Sequence, residues 1–342
     1  MLIFCDMRFI CISPCLFGEM LLPLLLLQQC LCSREWFSVD DHGELLFKHE
    51  EYQYLLMIKK ILKKGEVRRN SKTSITKSIF GTTARYSLEN NAFPLLTTKK
   101  MAKKAIIEEL LWFLRGKTDE RLLSEKNVFI WKENASRTFL DSRGLNKNRV
   151  GDLGPVYGFQ WRHFGAAYTN CDANYAGKGV DQIKEIIEMI KNDKNSRRIL
   201  LSAWNPVDLK KMALPPCHVL AQFYVSEGDK LSCCLYQRSG DICLGVPFNI
   251  ASYSLLTIII AHLTGTRPKE LFHVIGDTHI YQNHYHAEDG TNTAQEQTRR
   301  EPMPFPKLRI KTERKNIDEF QADDFEIVDY KHHPALKYDL IV

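Results

Sequence analysis

The feature that most constrains the fold is a long apolar segment, residues 247–265, with the sequence PFNIASYSLLTIIIAHLTG. Its apolar residues would lie around nearly all sides of a helix rather than along one stripe, so the helix would have almost no polar face to expose to water. The segment is shorter than the roughly 20 apolar residues that a membrane span needs. We therefore expect a core helix that other elements enclose.

The rest of the chain interleaves helical and strand patterns without a regular alternation of βαβ units. Helical periodicity predicts helices over residues 45–64, 101–116 and 180–191. Runs of β-branched, apolar and aromatic residues predict strands over residues 79–88, 197–204, 217–226, 231–238, 272–281 and 305–310. Together these patterns indicate an α+β fold, with helices packed on a mixed β-sheet.

The composition limits the class of protein. Of the 342 residues, 44% are hydrophobic and 26% are charged, as in ordinary globular chains. The net charge of +6 suits a protein that handles anionic small molecules, and the basic residues are less clustered than in strong nucleic-acid binders. The ten cysteines are irregularly spaced and lack the paired spacing of a structural zinc site, which favours a reduced, intracellular protein.

Cys217 has unusual surroundings for a cysteine. Pro215 and Pro216 precede it, His218 follows it, and an apolar strand pattern begins there. Each proline fixes its own φ, and Pro216 also restricts Pro215 to extended geometry, so the thiol is rigidly mounted. Such mounting orients a nucleophile for attack. From these residues alone, a buried structural cysteine is an equally good interpretation.

A second polar cluster lies in YQRSGDICLGVPFNIASY, residues 236–253. Arg238 and Ser239 suit phosphate oxygens, one by its charge and fork geometry and the other by its hydroxyl donor. Asn249 stands at the entry to the apolar helix. It is either a helix N-cap or an amide that donates and accepts at once, as the edge of a pyrimidine ring requires.

Three further features could belong to a site. Arg197 and Arg198 precede an apolar strand pattern. Neighbouring side chains in a strand point to opposite faces, so both can reach one phosphate only from a bend or a special mounting; the alternative is a solvated strand start. Glu109 adjoins the apolar stripe of its helix, and burial would raise its pKa and let it carry a proton.

Glycines and aromatics in GDLGPVYGFQWRHFG, residues 151–165, are typical of a loop that brings backbone close to a flat ligand.

Five blocks in matching order, DLGPVYGFQWRHFG, MALPPCH, YQRSGD, LGVPFNIASY and GDTHIY, together resemble the folate-dependent thymidylate synthase family. The similarity runs from about residue 49 to residue 342. It implies the thymidylate synthase fold, a homodimer whose interface is a sheet face, and reductive methylation of dUMP by 5,10-methylenetetrahydrofolate. The products are dTMP and dihydrofolate. The folate supplies the hydride, so no metal, nicotinamide or flavin is implied.

The resemblance also implies how dUMP is held. Cys217 corresponds to the nucleophile that adds to C6 of uracil, and Asn249 to the residue that reads the uracil edge. The phosphate ligands are Arg238, which also favours the thiolate, Ser239, and the pair Arg197 and Arg198, donated across the dimer to the partner's phosphate. The other positions are Glu109 (water-linked acid), Tyr157 (removal of the C5 proton), His218 (support beside the nucleophile), and His279 and Tyr281 (ribose hydroxyls).

For folate, the resemblance implies that Asp241 grips the pterin and that the terminal Val342 closes over the ligand and excludes water. The cofactor wall comprises Ile130, Trp131, Asn134, Leu244, Gly245 and Phe248.

The sequence departs from the family pattern in its phosphate loop. Members carry Arg-Thr-Gly-x-Gly-Thr, whereas this chain has NSKTSITKSIFG at residues 70–81, with both loop glycines replaced. In an alignment without a gap the arginine position falls on Ser71, and with one gap it falls on Lys72. Lysine keeps the positive charge but lacks the planar guanidinium that binds phosphate through two hydrogen bonds. We expect weaker phosphate binding or altered closure. The polar stretch 284–302 is also longer than usual, which predicts a surface insertion.

Residues 1–48 have no family counterpart, so we expect a catalytic domain over residues 49–342. The apolar run Met20–Leu27 is too short to span a bilayer, and Asp6 offsets the only preceding positive charge, Arg8. The segment is a disordered extension, a signal, or a piece absent from the mature chain. Asn134 lies in a glycosylation sequon, but a glycan there would occupy the folate cleft. We therefore expect a cytoplasmic protein that is not secreted and binds no membrane, with a nuclear or organellar fraction left open.

Two alternatives remain open from the sequence. A pyrimidine-nucleotide hydroxymethylase shares this scaffold, but members acting on dCMP carry aspartate where this chain has Asn249, because the cytosine amino group needs an acceptor. A non-catalytic or RNA-binding paralogue is compatible with the altered phosphate loop and the positive charge. The complete motif set argues against it, although weak RNA binding by an active enzyme stays compatible with the charge.

Overall fold

A computed structural model describes residues 36–39, 45–69, 74–287 and 290–339. The chain divides into two compact units between His49 and Glu50. In the first unit, strands β1 (Phe37–Val39) and β2 (Leu45–Phe47) form an antiparallel pair. The helix predicted from residue 45 therefore begins later, at Glu51, because residues 45–47 pair as a strand.

The second unit contains the helices that enclose the site. The first ends where predicted, since the Gly65 N–H donates to the Ile61 carbonyl at 2.8 Å. The predicted helix around residues 101–116 is also confirmed, with Gly116 just beyond its end at φ 65°. The described helices are α1 (Glu51–Lys64), α2 (Lys103–Leu114), α3 (Arg121–Ser124), α4 (Arg137–Ser142), α5 (Tyr157–His163), α6 (Gln182–Asn192), α7 (Gly245–Thr264), α8 (Gln282–Tyr285) and α9 (Thr293–Gln297).

A six-stranded sheet forms the centre of this unit, in the order β3-β4-β8-β7-β6-β5. Strands β7 and β8 pair in parallel and the other neighbours pair antiparallel, which confirms the predicted mixed sheet and α+β class. A separate antiparallel pair joins β9 and β10. The strands are β3 (Glu66–Arg69), β4 (Ile75–Ser87), β5 (Leu200–Ser202), β6 (His218–Ser226), β7 (Lys230–Asp241), β8 (Arg267–Tyr281), β9 (Lys307–Ile310) and β10 (Phe325–Val328).

Helix α7 is the apolar segment from which the fold was predicted. Among the described residues it is the one helix long and apolar enough to cross a membrane, yet 89% of its apolar window is buried inside the fold. It packs on β7, β8 and α2. Gly265 closes it in the left-handed conformation at φ 70°. The prediction of an enclosed core helix is confirmed.

The two faces of the sheet have different surroundings. Along β6, the side chains of Ala221, Phe223 and Val225 are buried, while Gln222 and Tyr224 between them are exposed. This alternation continues on β7, where Tyr236 is partly exposed although Leu235 is fully buried. The face opposite α7 therefore presents large aromatic side chains at the surface of the single chain, and the hydrophobic effect favours covering them.

Candidate active site

The strand order brings the predicted site residues to one edge of the sheet. Because β7 and β8 are parallel, their carboxyl ends meet there, and β6 runs antiparallel to β7 and so begins at the same edge. In the register, His218 lies opposite Gln237, and Asp241 lies opposite His279. The start of β6, with Cys217, therefore lies beside the ends of the two strands that carry the predicted phosphate, ribose and folate ligands.

Arg238 clamps the segment that carries the thiol. Its Nε donates to the Pro216 carbonyl at 2.8 Å and its Nη2 to the Pro215 carbonyl at 3.0 Å. The same Nη2 lies 3.8 Å from the Cys217 Sγ. The backbone N–H of Arg238 also donates to the Cys217 carbonyl at 3.0 Å. One guanidinium therefore binds both proline carbonyls and holds the backbone that carries the thiol. This agrees with the rigid mounting that the two prolines predicted.

The Arg238 guanidinium favours the thiolate of Cys217, as the resemblance implied, but burial has the opposite and larger effect. Burial raises the pKa of the Cys217 thiol, and the Arg238 guanidinium offsets only part of that rise. The charge therefore acts in the predicted direction, but desolvation of the thiolate outweighs it. Burial and the Arg238 charge therefore act on the pKa of the Cys217 thiol in opposite directions.

Tyr157 contacts the backbone of Cys217. Its hydroxyl accepts a hydrogen bond from the Cys217 N–H at 2.7 Å, and its ring packs 4.8 Å from the His218 ring. The predicted loop here was wrong, because Tyr157 begins helix α5. Gly158 is needed for helix packing rather than for a flat ligand, since a Cβ there would lie 2.8 Å from the Lys117 carbonyl oxygen.

A buried chain of polar side chains fixes Asn249. Its Nδ2 donates to the His218 Nε2 at 2.6 Å, and its Oδ1 accepts from the Gln237 Nε2 at 2.9 Å. The Gln237 Oε1 in turn lies 2.5 Å from the His273 Nε2. The N-cap alternative for Asn249 was wrong, because α7 begins four residues earlier, at Gly245. Sequence reasoning missed Gln237 and His273, which no local pattern marks.

This network favours neutral imidazoles. Burial lowers the pKa of both His218 and His273 to about 3. Neutral His218 therefore accepts at Nε2 from the Asn249 amide, which leaves the Asn249 Oδ1 facing Gln237 and fixes the orientation of the amide. A fixed amide presents donor and acceptor atoms in known positions to a ligand.

Glu109 behaves as the sequence predicted for a buried carboxyl. It lies on α2 with 9% of its surface exposed, and burial raises its pKa to about 7. The Trp131 Nε1 donates to its Oε1 at 2.7 Å and opposes part of that rise. A carboxyl that titrates near neutrality can give and take a proton under physiological conditions.

The predicted ribose ligands lie at the end of β8. The rings of His279 and Tyr281 are perpendicular, with centroids 5.3 Å apart. The His279 Nδ1 lies 3.3 Å from the Asp277 Oδ1, and Arg68 also pairs with the Asp277 carboxylate, at 2.8 Å. Burial raises the pKa of Tyr281 to about 12, so its hydroxyl stays protonated as a donor.

Arg197 and Arg198 do not lie in a strand. They occupy an exposed turn that ends just before β5 begins at Leu200. The predicted difficulty of aiming two strand neighbours at one phosphate therefore does not arise. Both side chains project to solvent from the chain, where a second molecule can reach them.

The predicted folate residues, called the folate rim below, lie in residues 130–134, at the end of β7 and around the start of α7. Asp241 is partly exposed, and its Oδ1 accepts from the backbone N–H groups of Cys243 at 2.9 Å and Leu244 at 3.2 Å. Trp131 and Asn134 are buried, whereas the other wall residues, Ile130, Leu244, Gly245 and Phe248, are partly exposed. The remaining predicted ligands, Lys72 and Val342, lie outside the described residues, as does most of the segment 1–48.

A cavity of about 600 Å³ lies elsewhere on the chain, between the ends of α2 and α5 and the loop 171–181. Its lining includes Arg162, which is already paired with Asp181 and Asp318, and it contains none of the predicted site residues. This cavity therefore does not identify the site. The convergence of a clamped thiol, a buried acid and a fixed amide does.

Comparison with known proteins identifies the family. Residues 52–342 match the family model described as thymidylate synthase. The chain is 54% identical to thymidylate synthase of Homo sapiens and 54% identical to that of Human herpesvirus 8 type P (isolate GK18). Each match covers 86% of this chain, and it covers 91% of the human protein and 85% of the viral protein.

A bifunctional dihydrofolate reductase-thymidylate synthase of Leishmania major is 55% identical over 295 residues, and this chain spans 56% of its length. The matched region is long, is shared with monofunctional relatives, and contains the clamped cysteine and its surroundings. The chain therefore belongs to the thymidylate synthase family, a family of methyltransferase enzymes.

Proposed function

We propose that this chain catalyses the reductive methylation of dUMP, with 5,10-methylenetetrahydrofolate as one-carbon and hydride donor, to give dTMP and dihydrofolate. The observation that carries the proposal is the clamped thiol, with Cys217 Sγ 3.8 Å from Arg238 and its backbone held by the Tyr157 hydroxyl. Addition of the Cys217 sulfur to C6 of uracil makes C5 nucleophilic and divides one difficult step into easier ones.

Formation of the thiolate is the first requirement of this route. Burial opposes it in the free chain, and Arg238 is the nearby cation that favours it. We propose that Arg238 and Ser239 bind the dUMP phosphate, and that Arg197 and Arg198 reach the phosphate in a partner subunit. The exposed turn that carries this pair is compatible with donation across an interface.

Proton transfers are assigned to two buried groups. Glu109, whose pKa is about 7, can protonate O4 of the pyrimidine through a water molecule and later take the proton back. Tyr157 belongs to the network that removes the proton from C5. Its hydroxyl already accepts from the Cys217 N–H, which places the oxygen beside the nucleophile.

Selection of uracil is assigned to Asn249. The amide is fixed by His218 and Gln237, and it can pair with both the O4 acceptor and the N3–H donor. His279 and Tyr281 at the end of β8 are assigned to the ribose, where the protonated Tyr281 hydroxyl serves as a donor. The comparisons favour the synthase over the hydroxymethylase and over a paralogue without activity.

Folate is assigned to the rim beside the nucleotide. Asp241 is partly exposed and offers its free oxygen to the pterin, while Trp131 and the start of α7 supply an apolar wall. The carboxyl-terminal Val342 is assigned to closure over the ligand. The catalytic domain is assigned to residues 49–342, in agreement with the compact unit that begins at Glu50.

A homodimer is proposed through the sheet face opposite α7. Tyr224 is 64% exposed and Leu200 is 40% exposed on the single chain, which leaves apolar area to be covered by a second copy. Sedimentation of the purified protein should give twice the chain mass, and a monomer that retains full activity would contradict the donation of Arg197 and Arg198.

A cytoplasmic location is proposed because the sequon residue Asn134 is 8% exposed and thus poorly placed for a glycan. Weak RNA binding stays a prediction from the net charge.

The test uses the mechanism-based probe 5-fluoro-dUMP with methylenetetrahydrofolate. After denaturation, the intact mass of the wild type should increase by the mass of one 5-fluoro-dUMP and one methylenetetrahydrofolate. Cys171→Ser, which removes a thiol outside the site, should show the same increase. Cys217→Ser should show no adduct and no release of tritium from 5-tritiated dUMP. A folded Cys217→Ser protein that still forms dTMP would refute the proposal.

A further inference from the structure

Three metal-binding side chains lie together beside the proposed folate rim, and two of them, Cys243 and His284, are buried and take no part in the proposed reaction. Asp241 ends β7, Cys243 follows in the turn before α7, and His284 lies on α8 directly after β8. Parallel pairing of β7 and β8 brings these segments together. One ligand atom from each residue lies within 4.8 Å of the others, and Cys243 and His284 are 0% and 1% exposed.

His284 is held in the form that a metal ligand requires. Its Nε2 lies 2.9 Å from the Asp339 carbonyl, which can only accept, so Nε2 carries the hydrogen. In the neutral ring, Nδ1 then bears the lone pair, and this buried atom has no hydrogen-bond partner among the described residues. A histidine that donates one ring N–H to a backbone carbonyl and leaves the other nitrogen free is the usual arrangement in metal sites.

We propose that Asp241, Cys243 and His284 bind a divalent transition-metal ion of the zinc class. A thiolate, an imidazole and a carboxylate are the ligands that zinc takes, whereas magnesium and calcium prefer oxygen alone. Tetrahedral zinc places neighbouring ligand atoms about 3.5 Å apart. The group, already within 4.8 Å, needs a contraction of about 1 Å to reach that spacing.

Lys99 and Tyr338 lie beside the proposed metal site and affect binding of the ion. The Lys99 Nζ is buried, donates to the Cys243 carbonyl, and lies over the ring of Tyr338. Its positive charge opposes a dication, so the three ligands have to outweigh this repulsion. The Tyr338 hydroxyl interacts with the Cys243 thiol, so binding of the ion would exchange this contact for a metal–sulfur bond.

Binding of the ion has a consequence that rests on the proposed function. Asp241 is the carboxylate assigned to the pterin, so the ion and the folate would compete for the same oxygen. The metal would then act as an inhibitor competitive with methylenetetrahydrofolate, and it would not be a catalytic metal. Cys243 gives up a proton on binding, so affinity should rise with pH.

Cobalt provides a readout that is independent of activity, because Co²⁺ bound by a thiolate absorbs in the near ultraviolet by charge transfer. Titration of the Cys217→Ser protein, which lacks the nucleophile, should show this band. Cys243→Ala and His284→Gln in the same background should weaken binding by at least about tenfold, since even a lost outer partner of a ligand costs 10–100-fold. Any absorbance from cobalt bound to other thiols is the same in all these variants.

The control is Cys171→Ser. Cys171 forms a comparable group with Asp119 and Asp172, but both carboxylates already pair with Arg149, at 2.7 and 2.6 Å. This substitution should leave the cobalt band unchanged. A band that survives in Cys243→Ala, or one lost in Cys171→Ser, would overturn the proposed site.

Inhibition is tested separately with zinc ions in enzyme that retains Cys217. Zinc should raise the KM for methylenetetrahydrofolate, and Cys243→Ala should remove this effect without changing the basal rate. A cobalt band without zinc inhibition would refute the competition with folate and leave the site standing. A wild-type protein without synthase activity would refute the proposed function, while the cobalt titration would still decide the metal site.

Discussion

Glu109→Gln should make the folded protein more stable than the wild type, by an amount that grows as the pH rises. The Glu109 carboxyl is buried, and its pKa of about 7 compares with an ordinary value of 4.5. At about 1.4 kcal/mol for each unit of pH, this difference corresponds to about 3 kcal/mol of unfolding free energy. Glutamine has nearly the same shape and keeps an oxygen that accepts from the Trp131 Nε1. The substitution therefore tests the charge with little change in packing.

The sign follows from proton binding. The folded protein holds the Glu109 proton more tightly than the unfolded chain does, so the stability from the protonated carboxyl is fully present below about pH 4.5 and is lost as pH rises through about 7. Glutamine does not titrate. Relative to wild type, the Glu109→Gln protein should therefore gain about 3 kcal/mol between pH 4.5 and pH 8.

Urea unfolding across this pH range, at one protein concentration, measures the difference. Glu133→Gln, an exposed carboxyl nearby, is the control for the substitution itself. A Glu109→Gln difference that stays constant with pH, or that falls as pH rises, would refute the argument. In the same protein, turnover should fall by about 10²–10⁴-fold, because the proposed acid is lost.

Three further substitutions test other parts of the site. Trp131→Phe removes the hydrogen bond that lowers the Glu109 pKa, so the inflection of kcat near pH 7 should move upward in a pH–rate profile. Asn249→Asp supplies an acceptor to the cytosine amino group, and the ratio of kcat/KM for dUMP over dCMP should fall by at least about tenfold. Ser71→Arg or Lys72→Arg restores a guanidinium that can bind a phosphate through two hydrogen bonds, and the KM for dUMP should fall with little change in kcat. An unchanged inflection, ratio or KM would contradict the respective assignment.

The elements that could be predicted are those that local chemistry determines. Gly65, Gly116 and Gly265 end helices where the chain must leave the helical conformation, and the core helix follows from its own apolar pattern. The starts of helices were less predictable. Residues 45–47 pair with β1, and Asn249 lies inside α7, because strand pairing and a helix start at Gly245 decide these boundaries.

The polar network behind the nucleophile could not be predicted in the same way. Gln237 and His273 lie on adjacent strands, 36 residues apart in sequence, and they meet only because β7 and β8 pair in parallel. Likewise, the Tyr157 hydroxyl meets the Cys217 N–H across 60 residues. Such contacts depend on register, and a single sequence specifies register only through the complete packing of the sheet.

The arrangement around Cys217 separates two roles that a guanidinium can have beside a thiol. Arg238 lies 2.8 and 3.0 Å from two proline carbonyls but 3.8 Å from the sulfur, so its strong hydrogen bonds go to the backbone. Prolines are suited to this, because each fixes its own φ and Pro216 also restricts the ψ of Pro215, which limits how far the Pro215 carbonyl can turn. The result is a thiol whose position is set by the backbone and whose pKa is still raised by burial. The rigid mounting that first marked Cys217 in the sequence therefore explains where the sulfur is held, whereas its ionisation depends on the balance between burial and the Arg238 charge.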